Sequence, residues 1–198
     1  MAYLILDLGS SSVRALRYEG NGTPAPGLLA RRPHAFHTGA NGAVTADFAA
    51  LAALVEGCVD EALAHPAART IEAAGMAAFA GSLVGLDAKG DALTPAFTYA
   101  DTQPAADAMA LARETDAHAA HQRTGCRLHP AYQPARLRWL ARTQPGIFAR
   151  SAQWADVSTA LYRRWFGRPV PMSHSIAAWS GLLNRAALGW DENWLAVL

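Results

Sequence analysis

Cysteine is scarce in this 198-residue chain, with Cys58 and Cys126 the only two. Two thiols exclude a disulfide framework and fit a reducing, cytoplasmic setting, with a single bond left open. Lysine is scarcer still: Lys89 stands alone, and arginine carries the remaining basic charge. The formal net charge is +1. A balance so close to zero gives no electrostatic case for nucleic acid or an anionic membrane surface as a partner. No apolar run reaches about 18 residues, so no transmembrane helix is expected. No signal peptide is expected either, because Met1-Ala2-Tyr3 runs straight into a strand-like stretch that Asp7 interrupts. Internal repeats and low-complexity linkers are missing too.

What is present is apolar bulk. Hydrophobic residues make up 52% and charged ones 17%, enough for a buried core in one sizeable domain, or in one large and one small lobe. The most informative stretch runs from Leu4 to Tyr18. An apolar run meets Asp7, then Gly9 and three serines, and a second run follows from Val13. That pattern predicts strand, tight turn, strand.

A third strand is expected within Leu28 to Phe36, then a turn over Gly39 to Gly42. Asp47 or Thr45 is placed to cap a helix whose apolar stripe is Phe48, Leu51, Leu54, Val55, Cys58, Val59 and Leu63, closed by Pro66. Thr70 to Phe79 reads as a buried strand and Leu83 to Asp87 as another, with a hairpin turn over Asp87 to Asp91. Pro95 to Tyr99 then leads to Asp101. The second half reads as mainly helical: Pro104 to His121, Arg136 to Thr143, Trp154 to Phe166, and a last helix over Trp190 to Leu198 without a C-cap or stop signal. Strands, a helix, more strands and then helices suit an α/β class with a mixed sheet under helical cover.

The opening turn has a chemistry. A magnesium–nucleotide needs a hard oxygen ligand for the metal or its water shell, and Asp7 at a strand end offers one. Phosphates need close backbone N–H donors and small hydroxyls, which Gly9, Ser10, Ser11 and Ser12 supply without bulk. Arg14 is near enough along the hairpin to neutralise charge on a transferred phosphoryl group. The plain alternative is a hairpin with a polar turn.

The stretch Asp7-Leu8-Gly9-Ser10-Ser11-Ser12 resembles the first phosphate motif of the sugar kinase, hexokinase and actin superfamily. Further segments follow in matching order. Leu83 to Asp87 with Gly90 resembles the core hairpin of the FGGY-type carbohydrate kinases, and Thr94 to Gln103 their Trp-x-Asp-x-Arg segment. Thr124 to Pro130 is similar to gluconokinase wording, and Arg136-Leu137-Arg138-Trp139-Leu140 to the Lys-Leu-x-Trp-Leu signature with arginine for lysine. Ser175 to Leu183 and Trp190-Asp191 resemble the family's later segments. The whole chain is similar to the N-terminal domain of such a kinase, gluconokinase- or xylulokinase-like.

The resemblance implies a ribonuclease-H-like, actin-like ATPase domain with a mixed five-stranded-type sheet, flanking helices and a helical second half. It implies ATP and Mg2+ as cofactors, with Asp7 on the metal and Gly9, Ser10, Ser11, Ser12 and Arg14 on phosphate. It implies a sugar or sugar acid held against Ala80, Gly81, Tyr99, Asp101 and Gln103. The family's catalytic aspartate and adenine-binding half lie beyond the matched residues. The expectation is therefore an incomplete kinase, inactive as a lone chain, that needs a C-terminal kinase domain in cis or as a separate chain.

Departures from the family pattern support a second reading, a non-catalytic sugar- or nucleotide-binding regulatory remnant. Gly81 stands where related kinases carry a sugar-contacting histidine, and Ala77 and Ala78 where serine and glycine are usual. Tyr99 replaces tryptophan and Gln103 replaces arginine, while Asp101 is retained either as a substrate ligand or as a turn-stabilising carboxylate. A structural or assembly role for an actin-like lobe is a third reading. His118, His121, Cys126 and His129 also have a spacing that reads as a zinc tetrad, against which Cys126 and His129 already fit the family segment. His34 and His37 read as surface or cleft-edge residues. The six tryptophans read as core, with one of them open as a stacking platform for sugar.

Overall fold

A computed structural model describes residues 1–198. In chain order the first elements are β1 (Ala2–Leu8), β2 (Ser12–Glu19), β3 (Ala30–Pro33), β4 (His37–Thr38), β5 (Val44–Ala46), α1 (Phe48–Ala64) and β6 (Ile71–Ala78). Next come β7 (Val84–Leu86), β8 (Ala96–Phe97), α2 (Ala105–Glu114), α3 (Ala117–Thr124), α4 (Gln133–Thr143) and α5 (Pro145–Arg150). The chain ends with β9 (Gln153–Ala155), α6 (Val157–Phe166), α7 (His174–Ala178), β10 (Leu183–Asn184), β11 (Gly189–Trp190) and α8 (Glu192–Leu195). These elements form two compact units, residues 1–36 with 46–79 and residues 37–45 with 80–198.

The first unit is a four-stranded sheet in the order β3-β2-β1-β6, one strand fewer than the five-stranded type expected. β1 pairs antiparallel with β2 and parallel with β6. Strict alternation along β1 buries Ala2, Leu4, Leu6 and Leu8 and leaves Tyr3, Ile5 and Asp7 on the other face. The register sets Leu6 opposite Ala15 and Leu8 opposite Val13, so β2 continues the apolar face. It also sets Asp7 opposite Arg14 on the polar face.

α1 is capped by Asp47, whose side chain accepts from the Ala50 N–H at 2.9 Å. A cap of this kind contributes about 1 kcal/mol. The helix buries Phe48, Leu51, Ala52, Val55, Cys58 and Ala62. Leu54 and Val59 are only half-buried and Leu63 is exposed, so the buried stripe is turned toward the alanines. Small residues let the helix lie close to β2 and β3. β6 is an edge strand, not the buried strand expected. It pairs on one side only, and Ala73, Ala74 and Ala77 are exposed.

The second unit is mainly helical, as expected, around a core that includes Leu83, Phe97, Leu111, Leu137, Trp139 and Leu140. The Phe97 and Trp139 rings meet edge-on with centroids 5.5 Å apart. The stretch expected as one helix from Pro104 to His121 is two. Asp116 breaks it, and its side chain accepts from the Ala119 N–H to start α3. Trp154 lies in a strand instead of a helix, because β9 pairs antiparallel with the buried β7. Asp156 then caps α6 through the N–H groups of Ser158 and Thr159. The last helix is short: Asp191 caps it, and it spans only Glu192–Leu195. No helix is long and apolar enough to cross a membrane.

Candidate functional site

Two sets of residues bear on function, one in each unit. The first is the turn between β1 and β2. The Gly9 N–H donates to the Ser12 carbonyl at 3.0 Å and closes the turn. Ser10 and Ser11 are exposed at its tip, and Ser12 is buried at the start of β2. Asp7 and Arg14 form an ion pair across the hairpin, with side chains 32% and 45% exposed. Solvent reaches both groups, so the pair holds them in place and contributes little stability. Next to Asp7 on the other side lies Ala77 of β6, a small neighbour that leaves the carboxylate uncrowded.

His34, which follows β3, supports this turn. Its backbone N–H donates to the Ser11 carbonyl at 3.0 Å. Its ring Nε2 lies 2.9 Å from the Gly9 carbonyl. A carbonyl only accepts, so Nε2 carries the proton. Sequence reasoning placed His34 at a surface or cleft edge, and nothing in its spacing pointed to the turn. The contact arises because β3 pairs with β2 from Ser12 to Ala15.

Asp7 fits magnesium in the way that Mg2+ is usually held, by one or two carboxylates with waters and phosphate oxygens completing the shell. No group of three or more His, Cys, Asp and Glu side chains gathers anywhere in the chain to hold a metal, so the four residues of the zinc spacing do not form a tetrad. Cys126 Sγ donates to the Ala178 carbonyl at 3.2 Å, while His121 and His129 line a cavity.

That cavity, of about 610 Å3, is the second site and lies wholly in the second unit. Ala80, Gly81 and Tyr99 form one part of its wall. His121, Arg127, His129 and Tyr132 form another, and Trp179 a third. Trp179 is 54% exposed, whereas Trp139 and Trp194 are buried. Of the expected substrate residues, Ala80, Gly81 and Tyr99 line the cavity, and Asp101 and Gln103 do not. Asp101 is buried, and its Oδ1 accepts from the Gln103 N–H at 2.9 Å, which makes it the carboxylate of a turn. Burial pushes its carboxyl up, against the pull of the Gln103 N–H and the Arg136 guanidinium.

Arg136 shapes the cavity without lining it. Its side chain is fully buried, and its guanidinium donates to the Gly81 carbonyl through Nη1 and to the Thr98 carbonyl through Nη2. It thus ties together the two segments that carry Gly81 and Tyr99. Burial lowers the Arg136 pKa to about 10, against the attraction of Asp101. Gly81 has φ +67°, and a Cβ there would lie 3.3 Å from the Tyr99 Cβ. The left-handed backbone and the close Tyr99 side chain both favour glycine over a residue with a Cβ here. Tyr132, Arg127 and Arg136 were not singled out as site residues from sequence. The signal available was the matched segments Thr124 to Pro130 and Arg136 to Leu140, which contain Arg127 and Arg136 but not Tyr132.

With this geometry in hand, the chain can be set beside known proteins. The sequence profile of the FGGY family of carbohydrate kinases, N-terminal domain, matches residues 2–198. Gluconokinases of Bacillus licheniformis and Bacillus subtilis are 26% and 25% identical to it over 116 residues, 59% of this chain and 22% of theirs. The gluconate kinase of Lactobacillus acidophilus superposes with a TM-score of 0.89 at 21% identity, over 99% of this chain and 39% of its own. A xyloylose kinase from Brucella ovis superposes with a TM-score of 0.88 at 26% identity, over 100% of this chain and 41% of its own. The chain therefore spans about a fifth of the curated relatives and about two fifths of these solved structures.

Proposed function

The chain belongs to the FGGY family of carbohydrate kinases, as a match to its N-terminal domain, and we propose that it provides the phosphate grip and the acceptor wall of an ATP-dependent kinase. The acceptor is a hydroxyl of a sugar or sugar acid, gluconate-like in its chemistry. The observation that carries this reading is the β1–β2 hairpin, whose register brings Asp7 and Arg14 together beside an exposed glycine–serine turn.

In this reading Asp7 holds Mg2+ through its water shell, and Ser10, Ser11 and Ser12 serve the terminal phosphates through backbone N–H and hydroxyl groups, while Gly9, its own N–H given to the Ser12 carbonyl, closes the turn that presents them. Arg14 exchanges part of its contact with Asp7 for a phosphate oxygen, where it neutralises charge. His34 keeps the turn in shape through the Gly9 carbonyl. Magnesium, when bound, neutralises phosphate charge and orients the transferring group. On the acceptor side, Tyr99, Tyr132 and Trp179 offer flat faces to the C–H surface of a sugar. Ala80 and Gly81 leave it room, while Asp101 and Gln103 brace the turn behind Tyr99. No carboxylate lines this cavity to take the acceptor's proton, so the 198-residue chain is expected to bind without turnover, pending a C-terminal kinase domain in cis or as a separate chain.

Titration of the purified chain with Mg2+–ATP tests the reading. The expected result is binding that Asp7→Ala weakens at least about tenfold, a loss of about 1.4 kcal/mol. Binding indifferent to Asp7 and to magnesium would overturn it. Gly81, which has no side chain to hydrogen-bond a sugar hydroxyl, favours a second reading, a non-catalytic sugar-binding regulator. That reading gains if sugar binds while nucleotide does not. ATP-dependent phosphorylation of gluconate by the chain alone would remove it.

A further inference from the structure

The cavity in the second unit has a one-sided charge. Among its lining residues are one guanidinium, that of Arg127, and two imidazoles, those of His121 and His129, and no Asp or Glu. A neutral sugar site needs acceptors as well as donors, because each hydroxyl both gives and takes a hydrogen bond. This wall instead carries a guanidinium and two imidazoles among the rings of Tyr99, Tyr132 and Trp179, with no carboxylate to balance them.

The histidines can be read further. His129 Nδ1 accepts from the Ala131 N–H at 3.1 Å. An accepting Nδ1 leaves the proton on Nε2, so the ring offers a donor to a bound ligand. Its ring also meets that of Tyr132 edge-on, with centroids 6.2 Å apart, which limits its swing. Arg127 and His129 lie on the exposed segment between α3 and α4, on the rim of the cavity. α3 ends at Gly125, with φ 76°, whose N–H donates to the His121 carbonyl at 2.7 Å. That reversal keeps His121 and the Arg127 segment on one cavity.

Resting on the carbohydrate reading of this cavity, we propose that Arg127, with His129 and His121, forms a carboxylate subsite. The acceptor then enters as a monosaccharide acid, its polyol chain along Tyr99, Tyr132 and Trp179 and its carboxylate on the Arg127 side. A guanidinium fork matches the two oxygens of a planar carboxylate. The same donors have no comparable partner in an uncharged ketose. Arg127 is thus a specificity-determining residue that reads the charged end of the acceptor.

Isothermal titration of the 198-residue chain with gluconate and with its neutral isostere gluconamide tests this. Gluconate is expected to bind about tenfold more tightly, because charge-assisted hydrogen bonds are about twice as strong as neutral ones. Arg127→Gln should reduce the ratio to about twofold or less while leaving the Kd for gluconamide unchanged. Equal binding of the two ligands to the unmodified chain would overturn the subsite and leave the carbohydrate reading standing. An equal loss of both ligands in Arg127→Gln would show a structural role and overturn it as well. Displacement of gluconate by millimolar inorganic phosphate would reassign the donors to a phosphate. Failure of both ligands to bind would remove the subsite and the acceptor reading together, whereas the Mg2+–ATP titration reads the phosphate turn independently.

Discussion

Asp7, the glycine–serine turn and Arg14 sit on one hairpin of the first unit, set by the ladder between β1 and β2. The cavity of the second unit collects Gly81, Tyr99, Arg127, Tyr132 and Trp179 from separate segments. One site is local and exposed, held by backbone pairing and the His34 contact. The other depends on a buried cation, Arg136, whose partners are carbonyls far from it in the chain. The contrast teaches that the two sites fail differently. A local turn survives loosening of tertiary packing, and an assembled cavity does not.

The sharpest way to break the comparison is Arg136→Met. It strands the Gly81 carbonyl, leaves the Thr98 carbonyl with the Asp101 N–H alone, and removes the guanidinium whose charge favours the Asp101 carboxylate, at a cost of about 3–5 kcal/mol for a broken buried charged contact. Urea unfolding reads the stability, and gluconate titration of the folded fraction reads loss of the cavity. Mg2+–ATP binding by the same fraction should stay within about twofold, since the turn's own hydrogen bonds are untouched. Parallel loss of both ligands would show that the sites are not independent.

The converse variant is Asp7→Ala. It should weaken Mg2+–ATP at least about tenfold, while gluconate affinity stays the same and stability changes by less than about 1 kcal/mol, as for exposed ion pairs. A gluconate affinity that tracks Asp7 would contradict the separation. Gly81→Ala is the next smaller perturbation. A left-handed alanine costs about 1–2 kcal/mol, and the added Cβ pushes on Tyr99. Thermal unfolding should show the first effect and a weaker gluconate Kd the second.

Two buried carboxylates of the second unit predict the pH response. At Asp191, burial raises the pKa, but the Arg123 guanidinium and the Trp194 N–H outweigh it and hold the carboxyl below its usual range. Its stabilisation is full above the unfolded value near 3.9 and is lost as pH falls through the folded value. Asp101 is shifted the other way by burial. Its contribution is full below the unfolded value and is lost as pH rises through the folded one. Asp101→Asn should therefore steepen the loss of stability on acidification, and Asp191→Asn should flatten it, in melting curves from pH 3 to pH 7. The smallest effect is expected at Trp179, which is 54% exposed. Trp179→Ala should weaken gluconate by a few fold, about 0.5–1 kcal/mol for a lost aromatic contact, with the melting temperature unchanged.

Legibility in the sequence follows the range of the interactions. The Asp7 turn, the Asp47 cap and the hairpin turn at Asp87 are written in neighbouring residues. Asp87 Oδ1, for example, accepts from the N–H groups of Lys89 and Asp91. The apolar stripe of α1 is legible at Phe48, Leu51, Val55 and Cys58 but not at Ala52 and Ala62, because alanines bury as well as leucines where a helix must approach a sheet closely. The exposure of β6 was hidden because its apolar residues look like a core strand, while its edge position depends on strand order. Trp154 looked helical because its strand partner, β7, lies about seventy residues earlier.

The sequence alone determined the Asp7 turn, because alternation along β1 and β2 puts Asp7 and Arg14 on one face whatever packs behind them. It also determined the family, through the order of its segments. Only the tertiary structure decided that Trp179 shares a cavity with Gly81 and Tyr99, that Gly81 takes a left-handed backbone beside Tyr99, and that Arg136 is an internal brace. Those outcomes rest on hydrogen bonds and van der Waals contacts between residues remote in the chain. Such contacts become definite only when folding has brought buried carbonyls within reach of the one cation that satisfies them.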